Sequence, residues 1–138
     1  RLIIPTKSYI VRSAKRYPTI IFFNNNNQKK IKILKSFKVK TVKTSLSRNG
    51  NFDLKKVLLK IKLLGFSRIF LESGLNLTTN FLKEGLVNDF QLFISNKKLG
   101  GNGDNNFKKN MKLFFKNKNF VSEKVNLFDD KLISCRFK

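Results

Sequence analysis

The chain has 138 residues, enough for one modest core and too few for two domains, so a single module over residues 1–138 is expected. One cysteine, Cys135, and no histidine exclude an internal disulfide, a Cys/His zinc site and a Ser-His or Cys-His nucleophile pair, and no metal centre is expected. The formal charge of +22 ordinarily points to nucleic acid or an acidic membrane. Here it travels with abundant Asn, Ile, Phe and Leu and no Trp, a pattern of compositional drift, so a nucleic-acid partner is the lesser alternative.

The opening Arg1-Leu2-Ile3-Ile4-Pro5 reads as the middle of a strand entering a turn, and residues upstream of it are expected. No apolar run approaches the roughly 20 residues of a membrane helix, which suggests a soluble, cytoplasmic protein. Pro18–Phe23 is a short β-branched and aromatic run, a buried strand that stops at the tract Asn24-Asn25-Asn26-Asn27 and enters a basic loop through Lys30. A small apolar cluster at Ile31, Ile33 and Leu34 follows. Val39–Leu46 alternates in part and predicts a second strand, with turn chemistry at Ser47-Arg48-Asn49-Gly50. Leu54, Val57, Leu58, Ile61 and Leu64 have helical spacing behind Asp53, and Gly65 stands where a left-handed cap would end the helix.

Arg68–Glu72 is short and apolar enough for a central strand, and Ser73-Gly74 turns it into a helix-like stretch, Leu75–Glu84, stopped by Gly85. Asp89–Ser95 alternates as a strand. Leu99–Asn106 is the clearest loop, Phe107–Phe115 suggests a short helix, and Phe120–Leu127 with Leu132–Phe137 suggests a closing hairpin turned near Asp129-Asp130. Strands alternating with helices argue for an α/β fold: a mainly parallel sheet covered on both faces, with an antiparallel hairpin at the C-terminal end.

Ligands of such sheets sit at the carboxyl ends of strands, here Glu72, Ser73 and Gly74. A glycine leading directly into a helix leaves backbone N–H groups and the positive end of the helix dipole free to seat a pyrophosphate. A carboxylate beside it can accept hydrogen bonds from a substrate ring or ribose. On spacing alone, a tight turn after a solvated strand end accounts for the same residues.

The pieces Gly65–Gly74, Phe81–Asp89 and Ile94–Gly101 together carry a strand ending in Glu-x-Gly, a helix closed by Gly-Leu-Val-Asn-Asp, a further strand and a Leu-Gly-Gly loop. In this order and spacing the chain resembles the C-terminal reductase domain of bifunctional riboflavin-biosynthesis deaminase/reductases. The resemblance implies a dihydrofolate-reductase-like, three-layer α/β/α fold. It also implies NADPH-dependent reduction of 5-amino-6-(5-phosphoribosylamino)uracil to its ribitylamino form, with that small pyrimidine as substrate and a homo-oligomer as a possible assembly. By position, Glu72 corresponds to the substrate-contacting glutamate, and Gly74, Leu75, Asn76, Leu77, Thr78, Thr79 and Asn80 correspond to the cofactor-binding turn and helix start. No general acid or base can be assigned.

The departures are specific. The family's Glu-Gly-Gly or Glu-Ala-Gly reads Glu72-Ser73-Gly74, and the proline often found next is Leu75; neither change removes an amide that a phosphate needs. The family's first strand and the segments after it lie upstream of Arg1, so a sheet lacking a strand, half a cleft and impaired turnover by this chain alone are expected. The deaminase zinc signature does not occur. Lys29 or Lys30 could meet a ribose 2′-phosphate, although a solvated loop is the simpler reading. Leu99-Gly100-Gly101 could shape a cleft rim or serve only the chain's path. Phe114, Phe115 and Phe120 interleave with lysines as in single-strand binders, but core packing accounts for them. The nucleic-acid alternative requires lysines and exposed aromatics clustered on one face.

Overall fold

Asn27 closes the polar tract after the first strand, and its side-chain oxygen accepts the Lys30 backbone N–H at 3.0 Å. That bond satisfies one of the orphan donors of a helix start, and the tract therefore becomes a cap rather than a loop. In the computed structural model, which describes residues 2–95, 97, 114–116, 118–124 and 129–137, the chain divides into two compact units, Arg1–Ile69 and Phe70–Lys138.

The first unit contains α1 (Tyr9–Arg12), which runs on into a 3-10 turn at Ser13–Lys15. It continues with β1 (Ile20–Phe23), α2 (Gln28–Ser36), β2 (Lys40–Lys43) and α3 (Leu54–Leu63). β1 and β2 pair in parallel from Ile20↔Lys40 to Phe23↔Lys43. Parallel neighbours need a crossover, and α2 supplies it. α2 is absent from the sequence expectations, which had a basic loop there; Lys29 and Lys30 in fact occupy its first turn. Its Ile31 and Leu34 are buried and join Leu2, Val11, Ala14, Phe23 and Val39 in the unit's core, with Ile4, Ile21 and Phe37 packed against it. Leu2–Pro5 belongs to no strand of the structure, a correction to the expected opening strand: Leu2 enters the core while Ile3 stays 78% exposed. The expected turn is present, with Gly50 at φ 77° and Gly50 N–H donating to Ser47 O at 3.0 Å.

α3 begins at Asp53, whose carboxylate accepts the Lys56 backbone N–H at 3.1 Å. It ends in a Schellman arrangement: Gly65 N–H donates to Lys62 O at 2.9 Å and Phe66 N–H to Ile61 O at 3.3 Å, with Gly65 at φ 96°. α2 closes in the same way through Lys38 N–H to Lys35 O and Val39 N–H to Leu34 O, but its left-handed position is a lysine, Lys38, at φ 66°.

The second unit contains α4 (Leu75–Lys83), β3 (Asp89–Ile94), β4 (Val121–Lys124) and β5 (Lys131–Arg136). The three strands form one antiparallel ladder in the order β3-β5-β4. β3 pairs with β5 from Asp89↔Arg136 to Ile94↔Lys131, and β4 pairs with β5 from Val121↔Ser134 to Lys124↔Lys131. The expected C-terminal hairpin partners are thus antiparallel neighbours, and Asp129, at φ 65°, lies in the connection where the turn was expected. Asp89 and Arg136, paired in register, also bond side chain to side chain at 2.9 Å. The Phe115 ring packs against those of Phe90, Phe120 and Phe137 at 5.1, 5.3 and 5.7 Å between centroids. Among the described residues of this half, Phe81, Leu82 and Cys135 are buried.

The architecture is mixed α/β. Among the described residues parallel pairing is confined to β1 and β2, and the rest of the strand pairing is antiparallel. One expected strand does not form. Arg68–Glu72 carries no secondary structure and belongs to no ladder, with Ile69 47% and Phe70 82% exposed. A strand exists through its partner's hydrogen bonds, and no neighbouring backbone among the described residues supplies them. The Leu99-Gly100-Gly101 loop and residues 107–113 of the expected short helix lie outside the described residues. Among those described, no helix is long and apolar enough to cross a membrane.

Candidate functional site

The start of α4 is built by Gly74, the N-cap, at φ −66° and ψ 167°. This is ordinary extended backbone that any residue adopts, and a Cβ at Gly74 would meet no atom within 4 Å. Neither conformation nor internal packing therefore demands glycine here. The helix forms because Phe81 and Leu82 give it a buried side and Gly85, at φ 63°, provides its left-handed stop, with Leu86 N–H donating to Phe81 O at 2.9 Å.

The N-terminal turn carries no acidic side chain and no side-chain cap bond. The first backbone N–H of the turn to find an acceptor is that of Thr78, which donates to Gly74 O at 3.2 Å. The N–H groups of Leu75, Asn76 and Leu77 have no acceptor among the described residues, so three donors and the positive helix end stand open. The turn is braced from within: the Ser73 and Thr78 hydroxyls lie 3.0 Å apart, and Ser73 Oγ and Thr78 Oγ1 each also approach a backbone carbonyl of the turn at 3.4 Å. This chemistry suits an anion held by backbone amides.

Of the residues expected at the site, Ser73, Gly74 and Thr78 are in direct contact around the turn. Asn76 and Leu77 are exposed in its first turn, Leu75 is half-buried, and Thr79 and Asn80 are half-buried one turn further. Glu72 precedes the turn with an exposed carboxylate that makes no hydrogen bond or ion pair among the described residues, so it is available to a ligand. It stands at the end of an irregular segment rather than of a strand. Lys29 and Lys30 sit at the start of α2 in the first unit, and Leu99-Gly100-Gly101 falls outside the described residues. The bracing pair Ser73 and Thr78 was not anticipated as a pair; the signal for it is a hydroxyl at each of two positions five apart, flanking a glycine cap. Among the described residues no three His, Cys, Asp or Glu side chains gather as metal ligands.

Residues 1–125 match the model of the RibD C-terminal domain family. The chain is also 30% identical over 97 residues to the riboflavin biosynthesis protein RibD of Actinobacillus pleuropneumoniae, a stretch covering 70% of this chain and 26% of that protein. The chain therefore aligns with about a quarter of the length of this relative.

Proposed function

The chain belongs to the RibD C-terminal domain family, and we propose that the start of α4 is the cofactor seat of a riboflavin-pathway reductase using NADPH. The substrate in this reading is 5-amino-6-(5-phosphoribosylamino)uracil, reduced to its ribitylamino form. The observation that carries it is the open first turn: three N–H groups without an acceptor among the described residues, behind a glycine that neither its backbone conformation nor its packing requires.

The residues present suit a dinucleotide. The N–H groups of Leu75, Asn76 and Leu77 would hold its pyrophosphate, the missing side chain at Gly74 lets phosphate oxygens approach the backbone, and Thr78, Thr79 and Asn80 offer further polar groups along the helix. When bound, NADPH supplies the hydride. The protein's share is to orient and to bind: the Ser73–Thr78 contact keeps the turn in shape, and Glu72 accepts hydrogen bonds from the ring or ribose of the substrate. A cytoplasmic setting and assembly as a homo-oligomer belong to the same proposal.

Titration calorimetry of NADPH and NADP against this chain and its Gly74→Asp variant tests the reading. A carboxylate at the cap would occupy and repel the phosphate seat, so at least about a tenfold loss of affinity is expected, equivalent to about 1.4 kcal/mol. Equal binding by the two proteins would place the cofactor elsewhere.

A further inference from the structure

The two units are equal in length and very unequal in charge. Residues 1–69 hold 18 of the 30 Lys and Arg but only one acidic residue, Asp53; residues 70–138 hold the other 12 basic and 7 acidic residues, a net of +17 against +5. Compositional drift enriches lysine in both halves alike and does not strip carboxylates from one. The single carboxylate of the first unit is also engaged, capping α3 and pairing with Lys56 Nζ at 3.3 Å.

Within this unit the segment Lys7–Tyr17 combines charge with exposed rings. Val11 and Ala14, at 0% and 4% exposure, anchor it in the core. Lys7, Tyr9, Arg12, Lys15 and Arg16 are all exposed along it. Tyr9 and Tyr17 are the only tyrosines in the chain, and they are 71% and 49% exposed. The Arg16 guanidinium lies 5.2 Å from the centre of the Tyr17 ring, and Thr19 Oγ1 holds the Tyr17 carbonyl at 2.9 Å. The rings thus do not serve the core, in contrast to Phe115, which packs among other phenylalanines.

Exposed aromatics set among cations, with no competing carboxylate in the segment, match one partner chemistry. Bases stack on the rings while lysines and arginines meet the phosphates. A membrane surface fits less well, because interfacial helices offer a long apolar face, and here Val11 and Ala14 are already committed to the core. A duplex groove calls for a longer helix or a β-ribbon than this short run offers. We propose that Lys7–Tyr17 is a binding site for single-stranded nucleic acid, a function separate from the cofactor seat at α4.

The chain has no tryptophan, so its intrinsic emission comes from Tyr9 and Tyr17 and reports on this site directly. Titration with a fluorescein-labelled oligouridylate should raise its anisotropy and quench tyrosine emission along one isotherm. The four cations Lys7, Arg12, Lys15 and Arg16 predict a slope of log K against log salt of about −3. Tyr9→Ala with Tyr17→Ala, which leaves the charge unchanged, should weaken binding at least about tenfold, and Tyr9→Phe with Tyr17→Phe should restore it to within about threefold. Lys116→Gln, Lys118→Gln and Lys124→Gln together should matter little. The proposal is overturned if the alanine pair binds as well as the parent, if anisotropy rises without quenching, or if phosphatidylglycerol vesicles quench the emission and the oligonucleotide does not.

Discussion

Ser73 and Thr78 meet hydroxyl to hydroxyl at 3.0 Å across the first turn of α4, one residue before the cap and four residues into the helix. Many helices fill these two positions with an apolar staple that fixes the angle at which the chain enters. A hydroxyl pair does the same work while leaving the surroundings polar, as an anion seat requires. Thr78→Val keeps the shape and removes the bond. It should cost stability about 1 kcal/mol or less and weaken NADPH binding by about threefold to tenfold, as read by denaturation and calorimetry on the same samples. A stability loss with unaltered NADPH binding would separate the brace from the seat.

Gly74→Ala divides the structural from the functional use of this glycine. Its φ of −66° and the empty space around it predict a change in stability within about 0.5 kcal/mol. A methyl group at the amide cradle should nevertheless lower NADPH affinity measurably. Unchanged binding would show that phosphate does not approach the cap closely.

Lys38 carries the left-handed stop of α2, the position that glycine fills after α3 and α4. It is exposed, so its side chain contributes no packing that glycine would forfeit. Lys38→Gly should relieve the backbone penalty and stabilise the first unit by about 1 kcal/mol in urea denaturation. No gain, or a loss, would mean that the freedom added to the unfolded chain outweighs the relief.

Asp53 has its carboxyl pKa held below the ordinary value, chiefly by the hydrogen bond from the Lys56 backbone N–H, with burial opposing the shift and the Lys56 side chain and nearby lysine charges adding to it. A lowered folded value means that the group stabilises the fold above its unfolded pKa. That contribution disappears as pH falls through the folded value. The melting temperature should therefore decline below about pH 5. Asp53→Asn retains a capping oxygen but cannot titrate, so its decline should be shallower. Identical pH profiles would show that the cap makes no pH-dependent contribution.

Leu34 is fully buried in the core of the first unit, beside Val11 and Ile31. Leu34→Ala should cost about 3 kcal/mol through lost burial and the cavity left behind. Tyrosine emission during urea unfolding would follow the loss, because both tyrosines flank Val11. A much smaller cost would mean that the surrounding side chains collapse into the space.

The elements legible in the sequence were those with a complete local signal. α3 has a capping aspartate, a helical apolar repeat and a terminal glycine; α4 has a glycine at each end; β3 alternates. α2 lacks such a signal, because its cap is the last asparagine of a tract that reads as loop and its stop is a lysine. Ile31 and Leu34, three apart behind Asn27, were the available signal. The site around Gly74 was legible as a glycine after an apolar run, but its open amides follow from the hydrogen bonds actually made.

By itself, the sequence determined where α3 and α4 start and stop, and it carries the Glu-x-Gly, Gly-Leu-Val-Asn-Asp and Leu-Gly-Gly pieces on which the family resemblance rests. These depend on backbone preferences and short spacings, which act within a few residues. Only the tertiary structure decided that Arg68–Glu72 stays outside any ladder, that β3, β4 and β5 run antiparallel, and that the acidic residues lie almost wholly in one unit. A strand needs a partner distant in sequence, and a charged surface needs a boundary in space, so neither is fixed by local composition.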